Sequence, residues 1–478
     1  MSALSSTSST DPPASVVPPS ASTVQAVGLG SGMSTPRQLR LRQTLIIVLS
    51  VLLLIVGEMT LNRARSAMKT IARDAAPSIV AAQQIRFALA DLDANVANYQ
   101  IGTASHRLAA AQAIEDRRVE ASTALVHAAE NITYGDDERV PIQTMFVGLG
   151  LYLEKAAEAR LLHDRGDEVG AKAAYFIATG MMHTDLFKKA DALDQVNKLH
   201  LDTAYTSQTT ANEGAEGLAT IVGMGLAGAL VWTQLFLMRR MRRIFNPALL
   251  VATVLTVAFT VYLVGRFNDA REDLRVATKD AFDSIYALSH ARAIAYDANG
   301  DESRYLLDPT PARGFEADFR MNVVMLDSQA GDLQKAEAET KRLLNHGKKS
   351  NAYRGFLWDE LANITFEGEG ASAANTMRAF EGYYSIDTRI RALEQAGKHT
   401  DAVELCIGTR PDESNAAFDR FEHALQETTA INQAAFDAVV DKGDLGLKRA
   451  EWLDPAFAIA IAVLAWLGLR PRLREYSA

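Results

Sequence analysis

The chain has 478 residues, 48% of them hydrophobic and 22% charged, and a formal net charge of −9. Its length exceeds one ordinary domain, and its acidic balance argues against a nucleic-acid partner. With Cys406 as the single cysteine, it has neither an intramolecular disulfide nor a thiolate metal cluster.

Residues 1–36 are rich in Ser, Thr and Pro and nearly uncharged, so they hold too little apolar surface to fold. The first apolar run, 44–62, is long enough to cross a bilayer as a helix. It starts too late and runs too long for a cleavable leader, and it reads as an uncleaved anchor. Runs 217–238 and 248–265 also reach spanning length. The last, 454–469, is the weakest; Trp452 and Trp466 suit its two interfaces and Arg470 ends it.

Three arginine clusters fix the expected orientation. Arg37, Arg40 and Arg42 precede the first span; Arg239, Arg240, Arg242 and Arg243 fill the 239–247 hinge; Arg470, Arg472 and Arg474 follow the fourth span. With four spans all three clusters fall on one side, so both termini and the hinge are expected in the cytoplasm. The hinge arginines are also the candidate contact for an acidic partner or anionic lipid. Glu58, near the outer end of the first span, reads as interfacial.

The two long soluble stretches are dominated by helix-forming residues and lack sustained strand-period alternation. Gly102-Thr103, Gly135-Asp136 and Gly166-Asp167 punctuate the first; Asp308 to Pro311, Gly368 to Gly370 and Gly397-Lys398 punctuate the second. Each is thereby divided into four helical stretches, the pattern of a four-helix bundle. The expected fold is all-α: an integral membrane protein with four transmembrane helices and two tandem extracytoplasmic four-helix bundles. In order, these are a disordered tail 1–43, span 44–62, bundle 63–216, span 217–238, hinge 239–247, span 248–265, bundle 266–453, span 454–469 and tail 470–478.

An internal repeat supports the division. Arg65, Asp74, Ser78, Arg86, Asp91 and Tyr99 recur without gaps as Arg271, Asp280, Ser284, Arg292, Asp297 and Tyr305. Further on, Asn131-Ile132-Thr133-Tyr134 matches Asn363-Ile364-Thr365-Phe366, Thr144-Met145 matches Thr376-Met377, Tyr152 matches Tyr384, and Gly166 matches Gly397. The second copy carries an insertion of roughly 26 residues in its second helix, between Glu316 and Leu361.

Nothing in the chain has the spacing of a catalytic or zinc motif, so neither an enzyme nor a cofactor is expected. Gly223-Met224-Gly225-Leu226-Ala227-Gly228 spells a dinucleotide fingerprint, but inside an apolar span it reads as a small-residue face for helix packing. The Asn131-Ile-Thr and Asn363-Ile-Thr sequons read as caps of the helices that follow. Arg86 and Arg292 occupy equivalent places on the first helix of each bundle, and an arginine fork can hold a carboxylate. They form the candidate ligand site together with Asp91, Asp297, Tyr99 and Tyr305. The alternative is ion pairing of each arginine with the aspartate on its own helix, and packing of the tyrosines.

The order of span, helical bundle and span resembles the sensor modules of bacterial chemoreceptors and histidine kinases. Arg243 to Thr256 and Gly300 to Asp308 are similar to segments of actinobacterial-type membrane proteins with four spans and tandem helical sensor domains. That resemblance implies coupling of a glutamine- and glutamate-binding lipoprotein to a soluble serine/threonine kinase. No output domain is expected after any span.

The resulting expectation is a sensor or adaptor in a bacterial cytoplasmic membrane. It would detect a small solute, such as an amino acid, or a solute-loaded binding protein outside. It would relay this to a cytoplasmic signalling protein such as a serine/threonine kinase. The paired bundles would act as an intramolecular pseudo-dimer, alone or within a homodimer, against membrane lipids. The rival expectation is a structural brace for an envelope or transporter complex.

Overall fold

The computed structural model describes residues 34–241, 246–308, 312–346 and 351–475, and among these it contains helices and no strand. The first half comprises α1 (Thr35–Lys69), α2 (Ala76–Ile101), α3 (Ala104–Glu130), α4 (Asp136–Asp164), α5 (Glu168–Met181) and α6 (Phe187–Met241). The second comprises α7 (Pro247–Arg275), α8 (Asp283–Leu307), α9 (Ala312–Leu326), α10 (Leu333–His346), α11 (Phe356–Ala362), α12 (Glu369–Gln395), α13 (His399–Ile407) and α14 (Ser414–Arg474). Single π-helical segments, Thr70–Ala75, Met182–Leu186 and Val276–Phe282, join α1 to α2, α5 to α6 and α7 to α8 without a loop.

These long helices pass through three successive apolar cores. The first is made by α1, α6, α7 and α14, through Leu53, Leu226, Phe259 and Ile461 among others. Four helices are long and apolar enough to cross a membrane, and all four contribute to this core. Glycine permits close approach here: a Cβ at Gly223 would come within 2.2 Å of Thr260 Oγ1, and one at Gly57 within 3.0 Å of Leu263. Gly223 therefore serves helix packing, as its place in an apolar run implies. The second core, a thin layer, joins Met68, Ile71, Leu201, Leu274, Phe282 and Phe436. The third is the largest and draws on both halves, from Ala82 to Leu193 and from Leu288 to Leu425.

Helix α1 starts at Thr35, within the stretch expected to be an unstructured tail, with Pro36 in its first turn where the missing N–H costs nothing. The rest of that tail, residues 1–33, and hinge residues Arg242 and Arg243 lie outside the described residues, as does the side chain of Arg240. The described hinge residue Arg239 is exposed at the end of α6.

The glycine turns fall where expected. Gly166 and Gly397 follow α4 and α12 with φ of 79° and 72°, a left-handed conformation that glycine adopts without steric cost. The asparagines of the two sequons act differently from the expectation. Neither caps the next helix. Asn131 Nδ2 ties back to Ser78 Oγ at 2.7 Å and to the Asp74 carbonyl at 3.3 Å. Asn363 Nδ2 reaches Ser284 Oγ at 3.0 Å and the carbonyls of Lys279 and Asp280. The turns are held by glutamates instead: Glu138 accepts from the amides of Thr133 and Tyr134, and Glu369 from those of Thr365 and Phe366.

Burial also corrects the register. Glu138, Ile142, Met145, Leu149 and Tyr152 are buried along α4 as Glu369, Ala373, Thr376, Phe380 and Tyr383 are along α12. Tyr152 thus corresponds to Tyr383 and Met145 to Thr376, one residue short of the sequence pairing, because the turn before α12 is one residue shorter. The second half departs from four plain stretches. Where α3 runs for 27 residues, α9, α10 and α11 stand instead. Where a π-helical segment carries α5 into α6, Gly408 to Glu413 breaks α13 from α14; Pro411 cannot donate to a continuing helix.

Candidate functional site

Helices α2 and α8 lie side by side in the middle of the largest core, and α8 is buried all round from Ala293 to Arg304. A helix enclosed on every face must satisfy its polar groups internally. The partners come from both halves and form a polar seam through the apolar core.

At the end of the seam nearest the apolar helices, Asp194 of α6 accepts from Gln83 Nε2 at 2.9 Å and from Tyr286 OH at 3.2 Å, with His290 Nε2 at 3.3 Å. Next comes Arg86, whose Nε lies 3.1 Å from Asp191 and whose guanidinium stacks 4.4 Å from the centroid of the Phe187 ring. His183 Nε2 sits 3.6 Å from Asp297. Burial and the nearby Arg304 charge hold His183 below the ordinary histidine range.

The seam ends at Arg304, which is fully buried. Its guanidinium pairs with Asp301, contacts Asp93 at 3.0 Å and Asp297 at 3.4 Å, and donates from Nε to Tyr175 OH at 3.2 Å. Asp93 also accepts from Tyr152 OH at 2.9 Å and Thr179 Oγ1 at 2.7 Å. Asn322 of α9 donates to Asp301 at 3.1 Å. Gly300 makes room: a Cβ there would lie 2.6 Å from Arg304 Nη2. One side chain of the second half is thereby tied to α2 and α5 of the first, and through Asp93 to α4. Burial pushes Asp301 well above the usual carboxylate range against the pull of Arg304.

The residues singled out from sequence are dispersed along this seam and its flanks. Arg86 pairs with Asp191 and Arg292 with Glu422, not with the aspartates on their own helices. Asp91 pairs with Arg117, yet burial outweighs that pairing and pushes its carboxyl up to about 6. Asp297 joins Arg304 and His183. Arg292 and Arg117 both approach the Phe87 ring, at 3.7 and 5.2 Å from its centroid. Tyr99 donates to Asp164 at 2.9 Å, whereas the Tyr305 ring lies 4.6 Å from the Arg391 guanidinium. Arg86 and Arg292 therefore do not converge on one cavity; each is spent on a partner from a distant helix. Among the described residues no group of His, Cys, Asp and Glu gathers as a metal site.

Asp93, Asp301, Arg304, Tyr175 and Arg391 were not singled out from sequence. One signal was present: Gly300 to Tyr305 places Asp, Glu, Ser and Arg consecutively, so that at least part of this polar run must face the interior of a helical bundle, where burial is costly without partners. Glu302 accepts from Ser414 Oγ at 2.8 Å, and Ser303 donates to Asn98.

Residues 67–206 match the family model of the actinobacterial sensor domain. The match runs from the end of α1 through α2 to α5 and into α6, and so includes Asp93, Tyr152, Tyr175 and Thr179. A bacterial sensor domain is present there, and it supports a sensing role. No curated protein and no solved structure matches the chain.

Proposed function

We propose that the protein is a transmembrane sensor or adaptor of a bacterial cytoplasmic membrane. A small solute, such as an amino acid, or a solute-loaded binding protein engages the helices outside. A separate cytoplasmic protein, such as a serine/threonine kinase, receives the signal, and no catalytic step is asked of this chain. The arginine clusters favour the orientation with both termini and the hinge inside. The matching turns at Asn131 and Asn363, and the π-helical segments Thr70–Ala75 and Val276–Phe282 just beyond the apolar core, favour two copies of one bundle acting as a pseudo-dimer.

The observation that carries the reading is helix continuity out of the sensor-domain match. From α2, the chain passes through a π-helical segment into apolar α1, and α6 runs for 55 residues into the same apolar core. A small shift along α2 or α6 is therefore delivered to the spans without a loop to absorb it. The seam suits a switch between discrete packings, since buried charges tolerate discrete pairings better than gradual displacement.

The test is a mild-detergent pull-down of the full-length protein from its native host, with and without external amino acids, read by mass spectrometry. Recovery of a solute-binding protein and a cytoplasmic regulator in amounts that respond to amino acids is expected. Recovery of only envelope or transporter components, unchanged by amino acids, overturns the reading in favour of a brace.

A further inference from the structure

Two arginines of the second half are more than nine-tenths buried, and their surroundings differ in one respect. All three guanidinium nitrogens of Arg304 have partners. Arg391, 7% exposed, donates from Nε to Asp387 at 2.8 Å, while Nη1 and Nη2 have no hydrogen-bond partner. The guanidinium plane is held between two rings, 4.6 Å from the centroid of Tyr305 and 4.5 Å from that of Phe319. Arg391 lines a pocket of about 480 Å³ between α9 and α12, with its two terminal nitrogens themselves buried from solvent. A buried guanidinium with unsatisfied ends is costly in a purely structural role.

We propose that this pocket binds a small zwitterion with the charge pattern of an α-amino acid. Its carboxylate is held by the two terminal nitrogens of Arg391. Those nitrogens form a fork that matches a carboxylate, and the flanking rings fix its plane. The rest of the lining carries both signs: Glu316, paired with Arg320, and Asp327 and Asp387 supply carboxylates for a cationic group, while Thr388 and Gln395 offer uncharged polar contacts. With three carboxylates against two guanidiniums, the lining favours a zwitterion over a doubly charged phosphate or dicarboxylate. The volume suits a small solute rather than a peptide. The site differs from the Arg86 and Arg292 positions: Arg292 is paired with Glu422, and Arg86, paired through Nε with Asp191, leaves one terminal nitrogen without a partner where Arg391 leaves both. The inference concerns binding alone: binding without any effect on a cytoplasmic partner would leave this site in place and remove the relay.

The experiment is titration calorimetry and thermal melting of the full-length protein in detergent. The probes are the common L-amino acids, acetate, succinate and inorganic phosphate, each at millimolar concentration. At least one amino acid is expected to bind and raise the melting temperature. Arg391→Lys should weaken that binding by about tenfold or more, because a lysine cannot form the fork. Thr388→Trp, at an exposed lining position, should block it while leaving the unliganded melt unchanged, which keeps the test valid if Arg391→Lys folds poorly. Arg86→Ala should retain it. The proposal is overturned if no amino acid binds, if succinate or phosphate binds more tightly, or if Thr388→Trp binds as the wild type does.

Discussion

Beside α2, helix α3 runs unbroken for 27 residues; beside α8, the same place is taken by α9 and α11, with α10 packed on α11 and α12. The consequence is clearest at one arginine. In the first half Arg160 lies 5.8 Å from the Tyr99 ring and remains half-buried. In the second, Arg391 lies against Tyr305 in the matching position, and Phe319 of α9 closes over it. The same tyrosine and arginine thus become a lined pocket where the second helix is rebuilt and remain a surface contact where it is plain.

The largest way to break this comparison is at the seam. Arg304→Met leaves Asp93, Asp297 and Asp301 buried without their cation and should cost about 3–5 kcal/mol, read as a fall in melting temperature of the purified protein. A loss under about 1 kcal/mol would mean that the seam does not hold the halves together.

A pH series tests the halves separately. Burial pushes Glu360 up to about 8 and Glu381 up to about 7, both in the second half. A carboxyl whose pKa is raised on folding contributes stability that is full below its unfolded value and lost as pH rises through its folded value. For Asp91 in the first half that loss is complete once pH has passed its folded pKa of about 6. Between about pH 6.5 and 8.5, hydrogen exchange corrected for its intrinsic rate should therefore accelerate more in α12 than in α4, on the order of tenfold. Equal acceleration in both helices would contradict the assignment.

Asn131→Ala and Asn363→Ala should each cost about 1–2 kcal/mol, since each removes comparable ties to the first helix of its half. Clearly unequal melts would show that the two turns are not equivalent. The arginines selected from sequence come last, and Arg86 has the smallest effect. Arg292→Ala should cost about 1–2 kcal/mol by losing Glu422 and the Phe87 stack, and Arg86→Ala about 0.5–1 kcal/mol, because Asp191 is 41% exposed. A larger loss for Arg86 than for Arg292 in paired melts would reverse this ranking.

Local chemistry made much of the fold legible. Four apolar runs, the glycine turns at Gly102, Gly135, Gly166, Gly368 and Gly397, and the recurrence of Asn131 at Asn363 each depend on residues close in sequence. The candidate site was only partly legible. Arg86 and Arg292 were visible as a repeated pair, but their partners are Asp191 and Glu422, on helices far along the chain. Arg391 carried no signal at all, being one more basic residue on an amphipathic helix until Phe319 and Tyr305 enclosed it.

The sequence by itself determined that the chain is helical, where its helices turn, and which segments are apolar enough to span a bilayer. Propensity, glycine geometry and hydropathy act over a few residues, so they can be read without knowing the fold. The tertiary structure alone decided that Arg304 would be buried with Asp93, that Tyr152 and Tyr175 would close around the same carboxylate, and that Arg391 would keep two nitrogens free. Helical periodicity specifies which face of a helix is covered; it carries no record of which distant helix covers it, and the partners of a buried charge are set by that choice.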